Sequence, residues 1–258
     1  MKKFLMAFML LTTTVAANAQ FESGKKYYLA VDSAMTSSEL ESLVNKIRES
    51  PNINDIGDST LDLSAMELPD GQLTTQITLN NANITEIIIP DSLTSLWGQI
   101  AGQFQNNKKL ITVTYNGTNR ISWNNCTFQG CTSLKNFPWH ALDTFLLGNQ
   151  VFGGCTSLES VTIPADIEQI CPTFDGCSNL KEVHFLGENP PYMQDDAFAD
   201  CHPDLIFYVP SEAAREAYLN FTGADSIDSS MKGFANPDVN PYATTPENLA
   251  AHVRVEGQ

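Results

Sequence analysis

Apolar and polar positions alternate in a fixed order that recurs along the middle of the chain. Each unit begins with a phenylalanine, has a large apolar residue six positions later, and then has two apolar residues two positions apart. The phenylalanines are Phe104, Phe128, Phe152, Phe174 and Phe198, which stand 24, 24, 22 and 24 residues apart. Apolar residues two positions apart form the inward face of a short strand, because successive side chains alternate between faces. A period of this length predicts a solenoid in which each unit packs mainly on its neighbours.

A turn lies between the phenylalanine and the strand of each unit. Gly130, Gly154 and Gly176 occupy it in the central units, and glycine suits a turn that needs positive φ. The position three residues after each phenylalanine holds Asn107, Cys131, Cys155, Cys177 or Cys201. We expect these five residues, here called the ladder, to satisfy inward-pointing backbone groups that water cannot reach.

This combination resembles the BspA-like family of bacterial secreted and surface proteins, which carry type-5 leucine-rich repeats. The family pattern A-F-x-G-C-x-x-L-x-x-I-x-I-P is similar to residues 152–164 and 197–201. The resemblance covers roughly residues 60 to 235. It implies an α/β solenoid, a right-handed leucine-rich-repeat superhelix with a column of short parallel strands and helical caps at the N- and C-termini. It also implies adhesion to host matrix components or to other bacteria.

The segments around the repeats predict the organisation of the rest of the chain. Residues 1–19 have the basic start, apolar run and small-x-small site of a signal peptide, and the run is too short for a comfortable membrane span. Cleavage near Ala19 would give a secreted, cell-surface or periplasmic protein. Residues 20–59 are predicted to form a helical N-terminal cap, because a capping box at Ser38 and Glu41, or at Thr36 and Glu39, precedes a helical apolar stripe.

The repeats are predicted to occupy residues 60–210, although the last unit has Asp204 where leucine is expected. A C-terminal helical cap should follow over residues 211–235, with Ala213, Ala217, Tyr218 and Phe221 on one face of its helix. Residues 236–258 carry three prolines and few large apolar residues. We expect this segment to be a weakly ordered tail.

The charge of the chain argues against two classes of partner. Without residues 1–19, 12 basic residues stand against 30 acidic ones, which gives a net charge of −18. Nucleic acids and anionic membranes attract basic patches. We therefore predict neither as a partner, and we attribute the acidity to the solubility of an exported solenoid.

No catalytic residue, cofactor or metal site is predicted. Four of the six cysteines share the ladder position with Asn107, so we predict buried thiols and no disulfide. Cys201 beside His202, with His184 in the preceding strand, is the sharpest candidate for nucleophilic catalysis. A nucleophilic cysteine needs exposure, however, and Cys201 holds the buried ladder position. The acidic run Asp195–Asp204 lacks the Asp- and Gly-rich loop of a dedicated calcium site, and the sequence leaves open whether it binds calcium.

The remaining candidate site is the outward surface of the strand column, here called the strand face. Residues that flank the first inward apolar position of each strand should point outward, and solenoids use such extended faces to bind partners. The predicted strand-face residues are Glu86, Ile88, Thr112, Thr114, Asn136, Ser160, Thr162, Glu182, His184, Ile206 and Tyr208. Pro138 lacks a backbone donor, so the face should be irregular around Trp139.

These features predict a non-enzymatic binding protein whose strand face engages a protein or glycan, such as a host matrix or bacterial surface component. Two alternatives stay open. An accessory or structural subunit of an envelope complex would have an envelope partner. A hydrolase with an unrecognised site would have a pocket containing a carboxylate or histidine of perturbed pKa. The sequence is silent on oligomeric state.

Overall fold

The computed structural model describes residues 8–10 (backbone only), 21–31, 33–68, 70–96, 102–143, 145–223 and 230–257. The repeats coil into a parallel-strand solenoid of about six turns, as the phenylalanine period predicts. Except at Asn136, where a single bridge replaces the strand, each turn contributes one strand to a column on one side and returns through a short strand or an irregular segment on the other. The predicted fold class is confirmed.

The strand column consists of two parallel sheets. The first contains, in order, β1 (Phe8–Leu10), β2 (Tyr28–Ala30), β3 (Ser59–Asp62), β4 (Ile84–Ile88) and β5 (Thr112–Thr114). The return segments form a separate sheet of short strands, β6 (Leu146–Leu147), β8 (Gln169–Ile170), β10 (Tyr192–Met193) and β12 (Lys232–Gly233). The second sheet of the column contains β7 (Ser160–Ile163), β9 (Glu182–Phe185), β11 (Ile206–Val209) and β13 (Val253–Val255).

The column is interrupted at Pro138, as its missing backbone donor predicts. Between β5 and β7 the pairing is reduced to a single bridge from Thr112 to Asn136. The chain then enters a short 3₁₀ helix, Trp139–Ala141, instead of a strand. Trp139 is consequently only partly buried, although the repeat pattern assigns it an inward position.

The five repeat phenylalanines form a continuous stack through the core, here called the phenylalanine stack. All five are fully buried, and neighbouring rings lie nearly parallel with centroids 5.2 to 5.7 Å apart. Offset stacking at this separation is a favourable arrangement for aromatic rings. The period of 22 to 24 residues therefore places one ring directly above the next.

The turn before each ladder residue adopts positive φ, as the glycines predict. Gly130, Gly154 and Gly176 have φ between 68° and 72°. Asn106 and Asp200, which hold the same position in the outer repeats, have φ of 61° and 52°. Asn and Asp tolerate this region better than other non-glycine residues, so the turn geometry extends beyond the glycine repeats.

The last repeat displaces its core leucine by one position without changing its length. Leu205 is fully buried and Asp204 is exposed, so leucine fills the core position one residue later than the repeat spacing predicts. The phase is then restored, because Phe207 and Val209 are buried in β11.

The N-terminal cap is helix α1 (Ser37–Glu49). Thr36 and Glu39 form the capping box, which is one of the two pairs that the sequence offers. Leu40, Leu43, Val44 and Ile47 are buried against the first turns of the solenoid. Of the predicted signal peptide, the described part is β1, whose backbone pairs in parallel with β2. The predicted cleavage site lies outside the described residues.

The C-terminal cap contains helix α2 (Glu212–Asn220), which Ser211 caps at its N-terminus. Its buried face is centred on Ala214 and Tyr218, whereas Ala213 is exposed. Of the predicted face, Tyr218 is buried and Ala217 and Phe221 are half-buried, so the prediction is wrong at Ala213. Tyr218 sets the orientation, because its hydroxyl donates to the Gly187 and Asn189 carbonyls at 3.3 and 3.2 Å.

The prediction of a weakly ordered tail over residues 236–258 is wrong for its described part. Helix α3 (Pro246–His252) leads directly into β13, which pairs in parallel with β11 and extends the strand column. Tyr242 donates to the His202 carbonyl at 2.8 Å, and Arg215 of α2 donates to the Val253 carbonyl at 3.0 Å. These distant partners order a segment whose own composition does not suggest a core.

Candidate functional site

Backbone pairing arranges the strand face in two rows within each sheet of the column, and among the described residues no pairing joins Asn136 to Ser160 or Thr114 to Thr162. The first row contains Glu86, Thr112, Asn136, Ser160, Glu182 and Ile206. The second row contains Ile88, Thr114, Thr162, His184 and Tyr208. All eleven predicted residues are half-buried or exposed, whereas the residues between them in the strands are buried. The strands therefore present these side chains together on one surface.

A hydrogen-bonded cluster forms the N-terminal part of the strand face. The Glu86 carboxylate accepts from the Thr60 hydroxyl at 3.1 Å and from the Thr114 hydroxyl at 2.8 Å. Asn136 donates to the Thr112 hydroxyl at 3.1 Å. These contacts join side chains of neighbouring repeats, so they fix the positions of groups that face solvent.

Tyr28 and Asp62 extend this cluster toward the N-terminus. The Tyr28 hydroxyl donates to the Asp62 carboxylate. This hydrogen bond, with burial and the nearby negative charge, raises the pKa of Tyr28 to about 12. Sequence reasoning missed both residues as part of the face. The sequence did contain a signal for Asp62. It follows the apolar Leu61 directly, so side-chain alternation in β3 places Asp62 on the outward face.

The C-terminal part of the strand face is centred on His184. Its imidazole lies parallel to the Tyr208 ring at 9°, with centroids 4.8 Å apart. Nε2 lies 3.4 Å from the Glu182 carboxylate, and Nδ1 contacts the Glu256 carboxylate. Arg254 stands beside Tyr208 in the pairing register. Arg254 and Glu256 gave no sequence signal, because their strand lies outside the repeat period.

The ladder lies in the interior and has a structural role. Each thiol donates to the carbonyl of the preceding repeat's phenylalanine at 3.2 or 3.3 Å: Cys131 to Phe104, Cys155 to Phe128, Cys177 to Phe152 and Cys201 to Phe174. All six cysteines are free, as predicted. Burial raises the pKa of Cys131 and of Cys201 to about 12, and raises the pKa of Cys155 and Cys177 well above the usual range.

Asn107 uses the same position differently. Its Nδ2 donates to the Ile77 carbonyl at 2.7 Å and to the Phe104 carbonyl at 3.1 Å, and its Oδ1 accepts from the Leu79 N–H. The amide therefore binds the turn before it through both a donor and an acceptor. A thiol offers a single weak donor at this position.

The Cys201 and His202 pair does not form a nucleophilic site. The Cys201 thiol donates to a backbone carbonyl and its pKa is raised, whereas a nucleophile needs the thiolate. His202 Nδ1 accepts from the Asp204 N–H at 3.1 Å. In the described part of the chain, no three His, Cys, Asp or Glu side chains are arranged to hold a metal ion.

Three cavities lie around α1, and none of the strand-face residues lines them. The carboxyl of Asp175 has a pKa raised by burial and by neighbouring Asp200 and Asp196, and it lies outside these cavities. Within the ranges that the structure covers, no helix has the length and apolar character of a membrane span. The strand face therefore lies apart from these three cavities, and its side chains are polar except for Ile88 and Ile206.

Comparison with known proteins agrees with this architecture. The family model described as the BspA type leucine rich repeat region matches six copies over residues 74–204. A search of curated proteins finds no match. Leucine-rich-repeat solenoids are typically binding scaffolds. Because the matched residues make up half of the chain and their turns are those described above, the protein belongs to the BspA-type leucine-rich-repeat family.

Proposed function

We propose that the protein is an exported or cell-surface binding protein whose strand face engages a protein or glycan partner in an adhesion-type role. The observation that carries this proposal is the pair of outward rows, in which polar side chains of successive repeats are held in register. A partner that meets such a surface finds groups that are already positioned, so less conformational entropy is lost on binding.

The composition of the strand face supports a macromolecular partner. Tyr28 and Tyr208 lie at opposite ends of the face, with carboxylates at both ends and hydroxyl residues between them. Aromatic side chains supply much of the binding energy at protein interfaces, and scattered polar groups supply specificity. The strand face lies apart from the three cavities, whereas a small substrate would need a concave site. We therefore propose a non-catalytic role.

The signal-peptide pattern and the family support export. The chain has a net charge of −16, which disfavours nucleic acids and anionic membranes as partners. An accessory role in an envelope complex is the second candidate, and it would use the same surface toward a partner from the organism's own envelope.

The test is binding of purified protein lacking residues 1–19 to an array of matrix proteins, mucins and polysaccharides. The strand-face variant carries Glu182→Lys, His184→Ala and Tyr208→Ala. The matched control carries Glu168→Lys, His140→Ala and Phe145→Ala, which are exposed positions outside the strand face. Circular dichroism and melting curves verify that both variants are folded.

We expect the strand-face variant to lose at least about tenfold in affinity, which corresponds to the loss of one central interface residue. The control variant should bind like the parent protein. Equal binding by both variants would contradict the strand face as the site. Failure to bind any component of the array, with specific capture of an envelope protein that depends on the same three residues, would favour the envelope-subunit role.

A further inference from the structure

A polar groove runs along the N-terminal cap, away from the strand face. Two neighbouring cavities of about 490 and 440 Å³ share Arg48 and Gln76, so they form one continuous depression, here called the cap groove. Its lining contains no residue of the strand face. The cap groove is therefore a separate candidate site.

The first wall of the cap groove is a polar stripe of α1. Ser38, Glu41, Asn45 and Arg48 follow one another at intervals of three or four residues, so they share one face of the helix. This stripe adjoins the apolar stripe that buries Leu40, Val44 and Ile47. Packing of the apolar stripe on the core thus fixes the direction in which the polar stripe faces.

The second wall is the extended segment 72–80. Leu73, Ile77 and Leu79 are buried there, while the alternate residues Thr74 and Gln76 are exposed and line the cap groove. The Arg48 guanidinium joins the two walls, because it donates to the Thr78 carbonyl at 2.8 and 3.1 Å and to Asn45 Oδ1 at 3.1 Å. The walls are therefore held at a fixed separation.

Several polar groups of the cap groove have no use inside the protein. Among the described residues, the side-chain amides of Asn54, Asn80 and Asn81 form no hydrogen bond, and the Thr78 hydroxyl oxygen is buried without a partner. The Thr78 oxygen has no solvent-accessible surface and therefore does not reach a ligand in the groove, whereas the three exposed amides keep their donors and acceptors free for one.

The chemistry of the lining selects the class of ligand. Amide and hydroxyl side chains both donate and accept hydrogen bonds, which matches the hydroxyl groups of a sugar. The apolar lining residues Ile53, Leu79 and Ala82 are buried, so the cap groove offers no apolar pocket for a peptide side chain. Arg48 and Glu41 are its charged residues and have opposite signs.

We propose that the cap groove binds a neutral glycan chain through the exposed amides of Asn54, Asn80 and Asn81. This site is independent of the strand face. A protein with both sites would hold a polysaccharide at its N-terminal cap while the strand face engages another partner.

The experiment measures binding of neutral polysaccharides, such as dextran, mannan and galactan, to the protein lacking residues 1–19 by isothermal titration calorimetry. The anionic polysaccharide hyaluronan is the comparison ligand. The groove variant carries Asn80→Ala and Asn81→Ala. Its matched control carries Asn116→Ala and Asn149→Ala, two exposed amides outside the cap groove.

We expect at least one neutral polysaccharide to bind, with a loss of about tenfold in the groove variant, which corresponds to one or two hydrogen bonds. The control and the strand-face variant should bind as the parent protein does. A loss in the strand-face variant instead would move the glycan to that face, which overturns this inference and leaves the proposed function standing. Absence of neutral-glycan binding, preference for hyaluronan, or unchanged binding by the groove variant would each overturn it.

Discussion

The repeats from Phe104 to Cys201 and the turns from residue 59 to residue 96 build one solenoid with different interiors. The later repeats contain the phenylalanine stack, and each ladder thiol makes one hydrogen bond to the turn before it. The earlier turns contain no phenylalanine, and their core is aliphatic. Asn107 stands at the junction and makes three hydrogen bonds, of which two reach the turn at residues 77–79.

This difference shows what the ladder position requires. Where the preceding turn is a regular phenylalanine turn, a thiol that donates to one carbonyl is sufficient. Where the preceding turn is irregular, both an N–H and a carbonyl point inward, and the Asn107 amide satisfies both, whereas a thiol is only a weak donor and a weak acceptor. The residue type at this position is therefore set by the previous turn.

The largest effect is expected from a charge placed inside the regular repeats. Leu158 is fully buried, so Leu158→Asp puts a carboxylate without a partner into the core and should unfold the solenoid, a cost of several kcal/mol. Circular dichroism during thermal unfolding measures this. Lys181→Asp places the same charge at an exposed position and should melt like the parent protein. A parental melting curve for Leu158→Asp would contradict the repeat register.

Alkaline pH should destabilise the thiol ladder. The folded-state pKa of Cys131 and of Cys201 is raised from 9.0 to about 12. The folded state holds the thiol proton more tightly than the unfolded state does. The contribution of each protonated thiol to the free energy of unfolding is therefore complete below pH 9 and is lost as pH rises toward 12. Urea unfolding should show a decline in the free energy of unfolding across this interval.

The Cys155→Ala variant is the control for this pH dependence. It removes one thiol whose pKa is raised, so the free energy of unfolding of this variant should fall less steeply with pH than that of the parent protein. The buried tyrosines Tyr218 and Tyr242, whose pKa values are also raised, remain in both proteins and contribute equally. Identical slopes for the parent and the variant would contradict the contribution of the thiols.

Two ladder substitutions, one at the junction and one within the regular repeats, test this difference directly. Asn107→Cys leaves the Leu79 N–H and one carbonyl without partners and should cost about 2 to 4 kcal/mol of the free energy of unfolding. Cys155→Ala removes one weak hydrogen bond and a small volume, and should cost about 1 to 2 kcal/mol. Urea unfolding measures both. Equal costs would show that the two interiors place the same demand on the ladder.

The smallest effects concern the positive-φ turn. An added Cβ at Gly154 would meet only the Gly130 nitrogen, at 4.0 Å, so Gly154→Ala measures backbone strain alone and should cost about 1 to 2 kcal/mol. Asp200→Gly relieves the same strain in the outer repeat and should stabilise by less than about 1 kcal/mol. Differential scanning calorimetry measures whether Gly154→Ala lowers and Asp200→Gly raises the melting temperature. A destabilised Asp200→Gly would show that the aspartate side chain outweighs its backbone cost.

The period predicts the parts of the fold that depend on neighbouring turns. The buried phenylalanines, the inward apolar pairs, the free thiols and the break at Pro138 each follow from residues within one or two repeats. The outward rows of the candidate site follow for the same reason, because side-chain alternation is local. Their use in binding stays a prediction.

Long-range contacts explain what the sequence missed. Val253–Val255 pairs with β11 outside the repeat spacing, and Tyr242 and Arg215 order the intervening chain through hydrogen bonds to distant backbone. Arg254 and Glu256 reach the candidate site only through this pairing. The cap groove likewise needs α1 to lie beside segment 72–80, and neither segment reveals its partner.

The pairing of β13 with β11 has a consequence for the order of assembly. The free edge of β11 is covered by residues that follow Val209 by 44 positions, after α2, β12 and α3. During synthesis, this edge stays open while the earlier turns have already closed on one another, and an open edge invites pairing with other chains. The turns can form one by one, but the C-terminal boundary closes as a single late event. Aggregation during folding should therefore be governed by this event.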